Sequence, residues 1–372
     1  MDARELVDAL REHGVTFYSG VPDSFLNGFC REIYGDLQTG RNVICANEGN
    51  AIAVAVGHYL ATGEVPLVYM QNSGVGNAVN PLASLSNREM LSIPMVLLIG
   101  WRGDPLHQDH VQHALQGRAT VPLLDALEIE SGVLDEGSWQ EAVRWAVDRA
   151  RETSSPVALL VPKGVLVGAK KPFDPDAAFM SREAAIRVIA ESAPDGAVFC
   201  ATTGRAAREF YHVREELGQG HGRDYLNVGS MGHVSSVAYG IALAKPDVPV
   251  ICLDGDGALI MHMGFMAAQA TRPVGNLLHV VLNNRLHESV GGQPTAAGLV
   301  NFTAIAAACG YRTLGDPVSH EATLRSIVGE FKAELAPMFV DVDVRPGIRA
   351  DLPPLEVDPA GMKSDLMASL AK

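Results

Sequence analysis

Two short polar stretches carry residue types that could hold a cation and a phosphate together. Asp254-Gly-Asp-Gly-Ala258 directly follows an apolar run, and Leu282-Asn-Asn284 directly follows the next one, 28 positions after Asp256. Glycines let backbone N–H groups approach a phosphate, and a helix starting there favours negative charge through its dipole. The Asp256 carboxylate and the Asn284 amide oxygen are hard oxygen ligands suited to Mg²⁺, which uses few protein groups and lets substrate phosphates complete its octahedron. Gly-Asp-Gly alone reads as a tight turn; Asn-Asn at the end of the following strand makes it a candidate binding site. In the other half of the chain Glu48 stands in Ala46-Asn-Glu-Gly-Asn50, at a strand-to-helix turn where a carboxylate is often only a cap.

A basic stretch offers a place for an anion. Trp101 to Arg118 holds Arg102, His107, His110, His113 and Arg118, after a candidate strand end where α/β proteins build sites. It reads either as a polar surface loop or, with Arg285, His287 and Gln293, as donors of charge-assisted hydrogen bonds to an anion. Histidines at i, i+3 and i+6 have no carboxylate or cysteine pattern to support a metal. Asn72 and Ser73 fit substrate contact or simple turn formation equally.

The elements that must position these residues are short β-rich apolar runs alternating with Ala-rich amphipathic stretches. Strands are expected at Val43–Ala46, Pro66–Met70, Met95–Ile99, Val157–Val161, Ala197–Cys200, Val248–Leu253, Leu278–Leu282 and Met338–Val342, with a helix at Asn50–Leu60. Continuous apolar strands separated by helices imply parallel sheets covered on both faces. Both halves repeat strand, Gly-rich turn, helix, strand over about 30 residues, the length of a βαβ unit. The first repeat runs from Leu67 through Gly74-Val-Gly76, the second from Val250 through Gly255-Asp-Gly257. Two α/β domains are expected, 1–168 and 181–372, joined by a Pro- and Gly-rich linker at 169–180, with Ser181 capping the next helix.

The chain has 372 residues, 47% hydrophobic and 19% charged, which excludes a disordered tail or a coiled coil. Its formal charge, 29 − 43 = −14, argues against a nucleic-acid or anionic-membrane binder. Five scattered cysteines without a CxxC pair suit a reducing compartment. The start is charged and helix-like rather than a signal peptide, and the longest apolar run, around Ile93–Ile99, is far too short for a membrane span. A cytoplasmic protein is expected. Gly255-Asp-Gly257 lacks the third glycine of a dinucleotide fingerprint, and no ribose-binding acid follows it at a suitable place.

The spacing from Gly255-Asp-Gly257 to Asn283-Asn284 resembles the cofactor motif of thiamine diphosphate-dependent enzymes. The resemblance implies that Asp256, Asn284 and the carbonyl of Leu286 hold Mg²⁺, and that Gly255, Gly257 and Ala258 line the diphosphate of the cofactor. Thr202-Thr203-Gly204 resembles a further diphosphate loop, with Arg205 close by. Gly229-Ser230-Met231-Gly232 is similar to the turn whose bulky hydrophobe forces the cofactor into a folded conformation. Glu48 matches the glutamate that hydrogen-bonds the aminopyrimidine ring, and Asp23 an acidic position that assists proton transfer during product release. Ser19 to Leu26, Gln71 to Asn77, Gly100 to Gly103, Gln116 to Arg118 and His287 to Thr295 are similar to the two-domain decarboxylases of phosphonopyruvate and sulfopyruvate.

The fold this implies has two parallel-sheet α/β domains, one pyrimidine-binding and one diphosphate-binding, with no room for the middle domain of longer decarboxylases. The activity it implies is decarboxylation of 3-phosphonopyruvate to 2-phosphonoacetaldehyde in phosphonate, including antibiotic, biosynthesis. Sulfopyruvate decarboxylation or carboligation are the alternatives within the same cofactor class. A homodimer or larger homo-oligomer with active sites between subunits also follows from the resemblance. The family usually reads Asn-Asn-Gly-Ala-His where this chain has Asn283-Asn-Arg-Leu-His287, a departure that bears on pocket shape.

Overall fold

Strand residues that are apolar at every position need a core on each side, and the chain supplies both. The computed structural model describes residues 1–166 and 179–371. They form two units: one holds 1–166 together with Ser289–Gln293, the other 179–288 together with 294–371. Most of the expected linker, 169–178, lies outside the described residues. Met180, expected at the linker's end, instead opens a short strand.

The first unit contains β1 (Tyr18–Gly20), β2 (Asn42–Ile44), β3 (Leu67–Gln71), β4 (Met95–Gly100), β5 (Glu130–Val133) and β6 (Pro156–Val161), ordered β2-β1-β3-β4-β6-β5. The second contains β7 (Met180–Ser181), β8 (Val198–Ala201), β9 (Asp224–Leu226), β10 (Val250–Gly255), β11 (Leu277–Asn283) and β12 (Met338–Arg345), ordered β7-β12-β11-β10-β8-β9. Strand pairs among the described residues are parallel. Both sheets reverse direction at the same point: the chain moves outward from β1 to β2 and from β8 to β9, then crosses back to β3 and β10. Such a switch point opens a crevice at the carboxyl ends of the strands.

Alternation along a strand feeds the two cores in turn. In β4, Val96 and Leu98 pack with Leu6, Leu10 and Phe29, whereas Met95, Leu97 and Ile99 pack with Ile52, Ala55 and Leu124. In β10, Ile251 and Leu253 face one core, Val250 and Cys252 the other. Each fully buried aliphatic side chain contributes roughly 1.5–3 kcal/mol, so these central strands fix the register. The helix Ala3–Glu12 shows the local logic: Asp2 caps it by accepting from the Arg4 N–H, and Ala3, Leu6, Val7 and Leu10 form its buried stripe.

All eight expected strands are present, and the helix expected at Asn50–Leu60 runs Glu48–Thr62, closed by Gly63 at a φ of 73°. Ser181 caps the helix Arg182–Ser192 through the Ala184 N–H. The strands that sequence periodicity missed, β1, β5, β7 and β9, are two to four residues long, too short to show a period. Among the described residues no helix is long and apolar enough to cross a membrane, and the five cysteines are unpaired.

Candidate active site

In the second unit the chemistry-bearing residues gather at the carboxyl ends of β8, β9, β10 and β11. Gly255 ends β10, and Asp256 opens the helix Asp256–His262. Asp256 is buried, accepts from the Thr295 hydroxyl, and is pushed up to about 6 by burial, which that hydrogen bond opposes. A carboxylate held in this state gains most from a cation placed beside it. Gly257 is closely surrounded: a Cβ there would press on the His287 ring at 3.3 Å and touch the Met231 methyl at 3.5 Å. Gly257, Met231 and His287, from three separate motifs, thus lie close together.

The turn is anchored from beneath by a residue that sequence reasoning left out. Asp254, wholly buried, accepts from the Gly255 N–H at 2.9 Å and lies 3.2 Å from His279 Nε2. Cys252 completes a buried triad with them. Beside it, Thr202 at the end of β8 is buried with a hydroxyl that has no partner, and its methyl lies 3.9 Å from a Cβ built on Gly255. Thr203 follows it, and Gly204, at φ 89°, caps the helix Arg205–Glu216. Ser230 holds a φ of 50°, a conformation costing about 1–3 kcal/mol, while the Asn227 amide donates to its carbonyl. Gly229 and Met231 flank it.

Asn284, just past β11, donates from Nδ2 to Glu288 at 3.0 Å and accepts at Oδ1 from the Leu286 N–H at 3.1 Å. Leu286 also bridges to Pro294. Arg285, where the resembling family has glycine, adopts a φ of 59°. That left-handed conformation costs a residue with a Cβ roughly 1–2 kcal/mol. Its guanidinium pairs with Asp343 and lies 5.6 Å from the centre of the Phe179 ring, so its charge is committed inside the unit. Arg205, expected near the diphosphate, is likewise paired, to Glu288 at 2.5 Å.

In the first unit the strand ends again carry the polar groups. Glu48 is the first residue of its helix, capped by Asn47, and is only 4% exposed. Burial raises its carboxyl above the ordinary range, opposed by a hydrogen bond from Asn77 Nδ2 at 2.7 Å. Gly74 makes room for it: a Cβ there would sit 2.2 Å from Glu48 Oε1. Gly74→Ala should therefore displace the carboxylate with little effect on the fold and lower kcat by about 100-fold, as a misplacement of about 1 Å commonly does. Steady-state rates together with unfolding curves check this.

Asp23, wholly buried after β1, accepts from the Phe25 N–H at 2.6 Å and from Gln71 Nε2 at 2.6 Å. Burial raises its carboxyl, the Gln71 bond opposing. Ser73 is exposed and donates to Gln71 Oε1 at 2.7 Å, so Ser73, Gln71 and Asp23 form one chain of hydrogen bonds.

The other anion-binding candidates are placed less favourably. Asn72 uses its whole amide internally, to the Arg102 backbone and to Thr120. Arg102 is gripped at two points by Asp109, both 2.6 Å, and stacks 4.8 Å from the Phe25 ring centre. His107 pairs with Asp104; His110, which precedes the helix Val111–Ala126, and Arg118, on it, are exposed. Burial lowers His287 to about 4, so it is neutral at pH 7 and offers a neutral hydrogen bond to an anion. Gln293 is buried with both amide atoms unpartnered.

His113, beside Arg102, is lowered to about 4, chiefly by burial. A folded-state value below the ordinary 6.5 means that the unfolded chain takes up the proton first as pH falls. Stability is therefore lost from pH 6.5 towards 4. His113→Gln should flatten this decline by at most about 1.4 kcal/mol per pH unit, with parallel behaviour outside that window. Denaturant unfolding of both proteins at pH 7, 5.5 and 4 measures the difference.

Sequence reasoning gave no role to Asn77, Thr295, Glu288 or Asp254. Asn77 reaches Glu48 across 29 positions and Thr295 reaches Asp256 across 39. Only their presence inside matched segments marked the first three.

Strand-end crevices built alike in both units, one with a buried glutamate and one with a Gly-Asp-Gly turn, define a class. The chain belongs to the thiamine pyrophosphate enzyme family. The profile of the N-terminal thiamine pyrophosphate binding domain matches residues 3–129, and that of the C-terminal binding domain matches 202–342. The chain is similar to the phosphonopyruvate decarboxylase of Streptomyces hygroscopicus, 33% identical over 96% of this chain and 91% of that protein. It is equally similar to the phosphonopyruvate decarboxylase of Streptomyces viridochromogenes, 34% identical over 96% and 92%. A sulfopyruvate decarboxylase of Methanosarcina acetivorans is 28% identical over 81% of each chain.

The residues fit the cofactor of that family, thiamine diphosphate. The orphaned Thr202 hydroxyl is a buried donor lacking an acceptor, beside a turn in which Gly255 and Gly257 keep side chains away.

Proposed function

We propose that the protein is a thiamine diphosphate- and Mg²⁺-dependent decarboxylase that converts 3-phosphonopyruvate into 2-phosphonoacetaldehyde and CO₂. The observation that carries the reading is that one chain holds both a buried, Asn77-held Glu48 and the Asp256–Asn284 set on a Gly-Asp-Gly turn. The likeness to two phosphonopyruvate decarboxylases over 96% of the chain supports the choice of substrate.

Thiamine diphosphate, when bound, supplies the electron sink for the pair released as the bond to CO₂ breaks. The chain supplies placement and protons. Asp256, Asn284 and the Leu286 carbonyl would hold the Mg²⁺; Thr202, Thr203, Gly204, Gly255, Gly257 and Ala258 would line the diphosphate. Gly229, Ser230 and Met231 would lie against the body of the cofactor. Glu48, raised by burial, is suited to share a proton with a ring nitrogen, and Asn77 fixes the carboxylate that does so. A proton must replace the departing CO₂, and Asp23, also raised by burial and joined to Ser73 through Gln71, is suited to supply it.

In the second unit the neutral His287 is a candidate contact for the phosphonate, and in the first the buried, unpartnered amide of Gln293 is another; Arg118 is an exposed cation able to draw the anion in, and His110 an exposed imidazole. Arg102, His107, Asn72 and Ser73 act on substrate only if they exchange their present partners. A homo-oligomer with active sites between subunits goes with this reading. So does a cytoplasmic place in phosphonate, including antibiotic, biosynthesis, consistent with five unpaired cysteines.

The test is specificity. With Mg²⁺ and thiamine diphosphate supplied, kcat/KM for 3-phosphonopyruvate should exceed those for sulfopyruvate and pyruvate by at least about tenfold, the size of one charge-assisted contact. A preference for sulfopyruvate would keep the chemistry and replace the substrate.

A further inference from the structure

An asparagine that binds a cation must present Oδ1 and turn its NH₂ away, yet the two ends of the amide are nearly alike in shape. Something in the protein must choose between them. At Asn284 the choice is made twice: the Leu286 N–H faces Oδ1 at 3.1 Å, and Glu288 Oε2 faces Nδ2 at 3.0 Å. A carboxylate can only accept, so Glu288 admits one orientation of the amide.

Glu288 is itself held rigidly. Its side chain is 3% exposed and also accepts from Arg182 at 2.7 Å, Arg205 at 2.5 Å and the Gly347 N–H at 2.6 Å. Arg182 is fixed in turn by two bonds to Glu209, at 2.6 and 2.9 Å. Two arginines and two glutamates balance in charge, and the lone pairs of Glu288 are occupied by donors. It therefore cannot turn towards a cation, and any effect it has on one passes through Asn284.

We propose that Glu288 is the positioning residue of the cation site: it fixes the amide of Asn284 so that Oδ1 is presented to Mg²⁺. This rests on the reading that Asp256 and Asn284 hold Mg²⁺ with thiamine diphosphate. Outer partners of metal ligands commonly contribute 10–100-fold in metal affinity.

The experiment is a calorimetric titration of Mg²⁺ into metal-free full-length protein at saturating thiamine diphosphate, with thermal unfolding of each metal-free variant alongside. Glu288→Gln sets a single accepting oxygen among four donors, from Arg182, Arg205, the Gly347 N–H and Asn284, loosening the hold on the Asn284 amide, and should raise the half-saturating Mg²⁺ concentration about 10–100-fold. Glu288→Asp keeps the charge that Arg182 and Arg205 need but draws the carboxylate back, and it should also raise that concentration about tenfold or more; it carries the test if the glutamine variant does not fold. Glu209→Gln breaks the same buried arginine cluster without touching Asn284 and should titrate within about threefold of wild type, below the range expected for a positioning residue.

Wild-type titration by both Glu288 variants would overturn the proposal. So would equal shifts in all three, which would mark a merely structural role. Wild-type protein that takes up thiamine diphosphate without any dependence on Mg²⁺ would instead overturn the cation site itself.

Discussion

Glu48→Gln is expected to lower kcat by about 10²–10⁴-fold, the usual contribution of a positioned acid–base group, while thiamine diphosphate affinity changes only a few-fold. The substitution changes chemistry at nearly constant shape. Glutamine fills the same volume beside Gly74 and can still accept from Asn77, so the surroundings need not move. What is lost is the carboxyl proton, which burial has raised towards the working range and which an amide cannot share with a ring nitrogen. Replacing a buried carboxylate by a neutral amide also removes a desolvation cost, so stability should hold or rise. Rates and cofactor binding measured on the same preparation check this, and a variant with normal kcat would remove Glu48 from the mechanism.

A second large effect follows from the proposed assembly. Glu48→Gln and Asp256→Ala should each be close to inactive, the first in proton sharing and the second in holding the cation. If an active site draws Glu48 from one copy of the chain and Asp256 from another, a mixed dimer carries both defects in one site and neither in the other. Random re-association makes half the dimers mixed, so about a quarter of wild-type activity should return. Sites built within one copy would return none. The measurement is activity after the two variants are dissociated together and reassembled.

How much of this was legible in the sequence depended on length and on locality. Central strands such as β4, with five apolar residues in a row, and β11, apolar except for His279 and Asn283, showed plainly, while the three-residue β1, which sits inside its sheet, did not. Asp256, Asn284 and Glu48 were legible because Gly-Asp-Gly, Asn-Asn and the strand-to-helix turn are local patterns. Their partners were not: Asn77, Thr295 and Glu288 become relevant only once the fold has closed distances in sequence. Charge was the most misleading signal. Arg102 and Arg285 read as either solvated surface groups or donors to an anion, but Asp109 and Asp343 pair with them, and burial lowers His287 to about 4.

Arg285 departs from the family pattern without disturbing the hydrogen bonds of its neighbour Asn284. It pays for its φ of 59° with an ion pair to Asp343, and the Leu286 N–H still reaches Asn284.

The central claim is that this chain releases CO₂ from 3-phosphonopyruvate with the help of thiamine diphosphate. Phosphorus NMR of the purified protein with 3-phosphonopyruvate, run with trapping of CO₂, follows both products at once. One 2-phosphonoacetaldehyde is expected per CO₂, only when Mg²⁺ and thiamine diphosphate are both present. Unchanged substrate in the complete mixture, or CO₂ released with a carbon–carbon ligation product in place of the aldehyde, would contradict it.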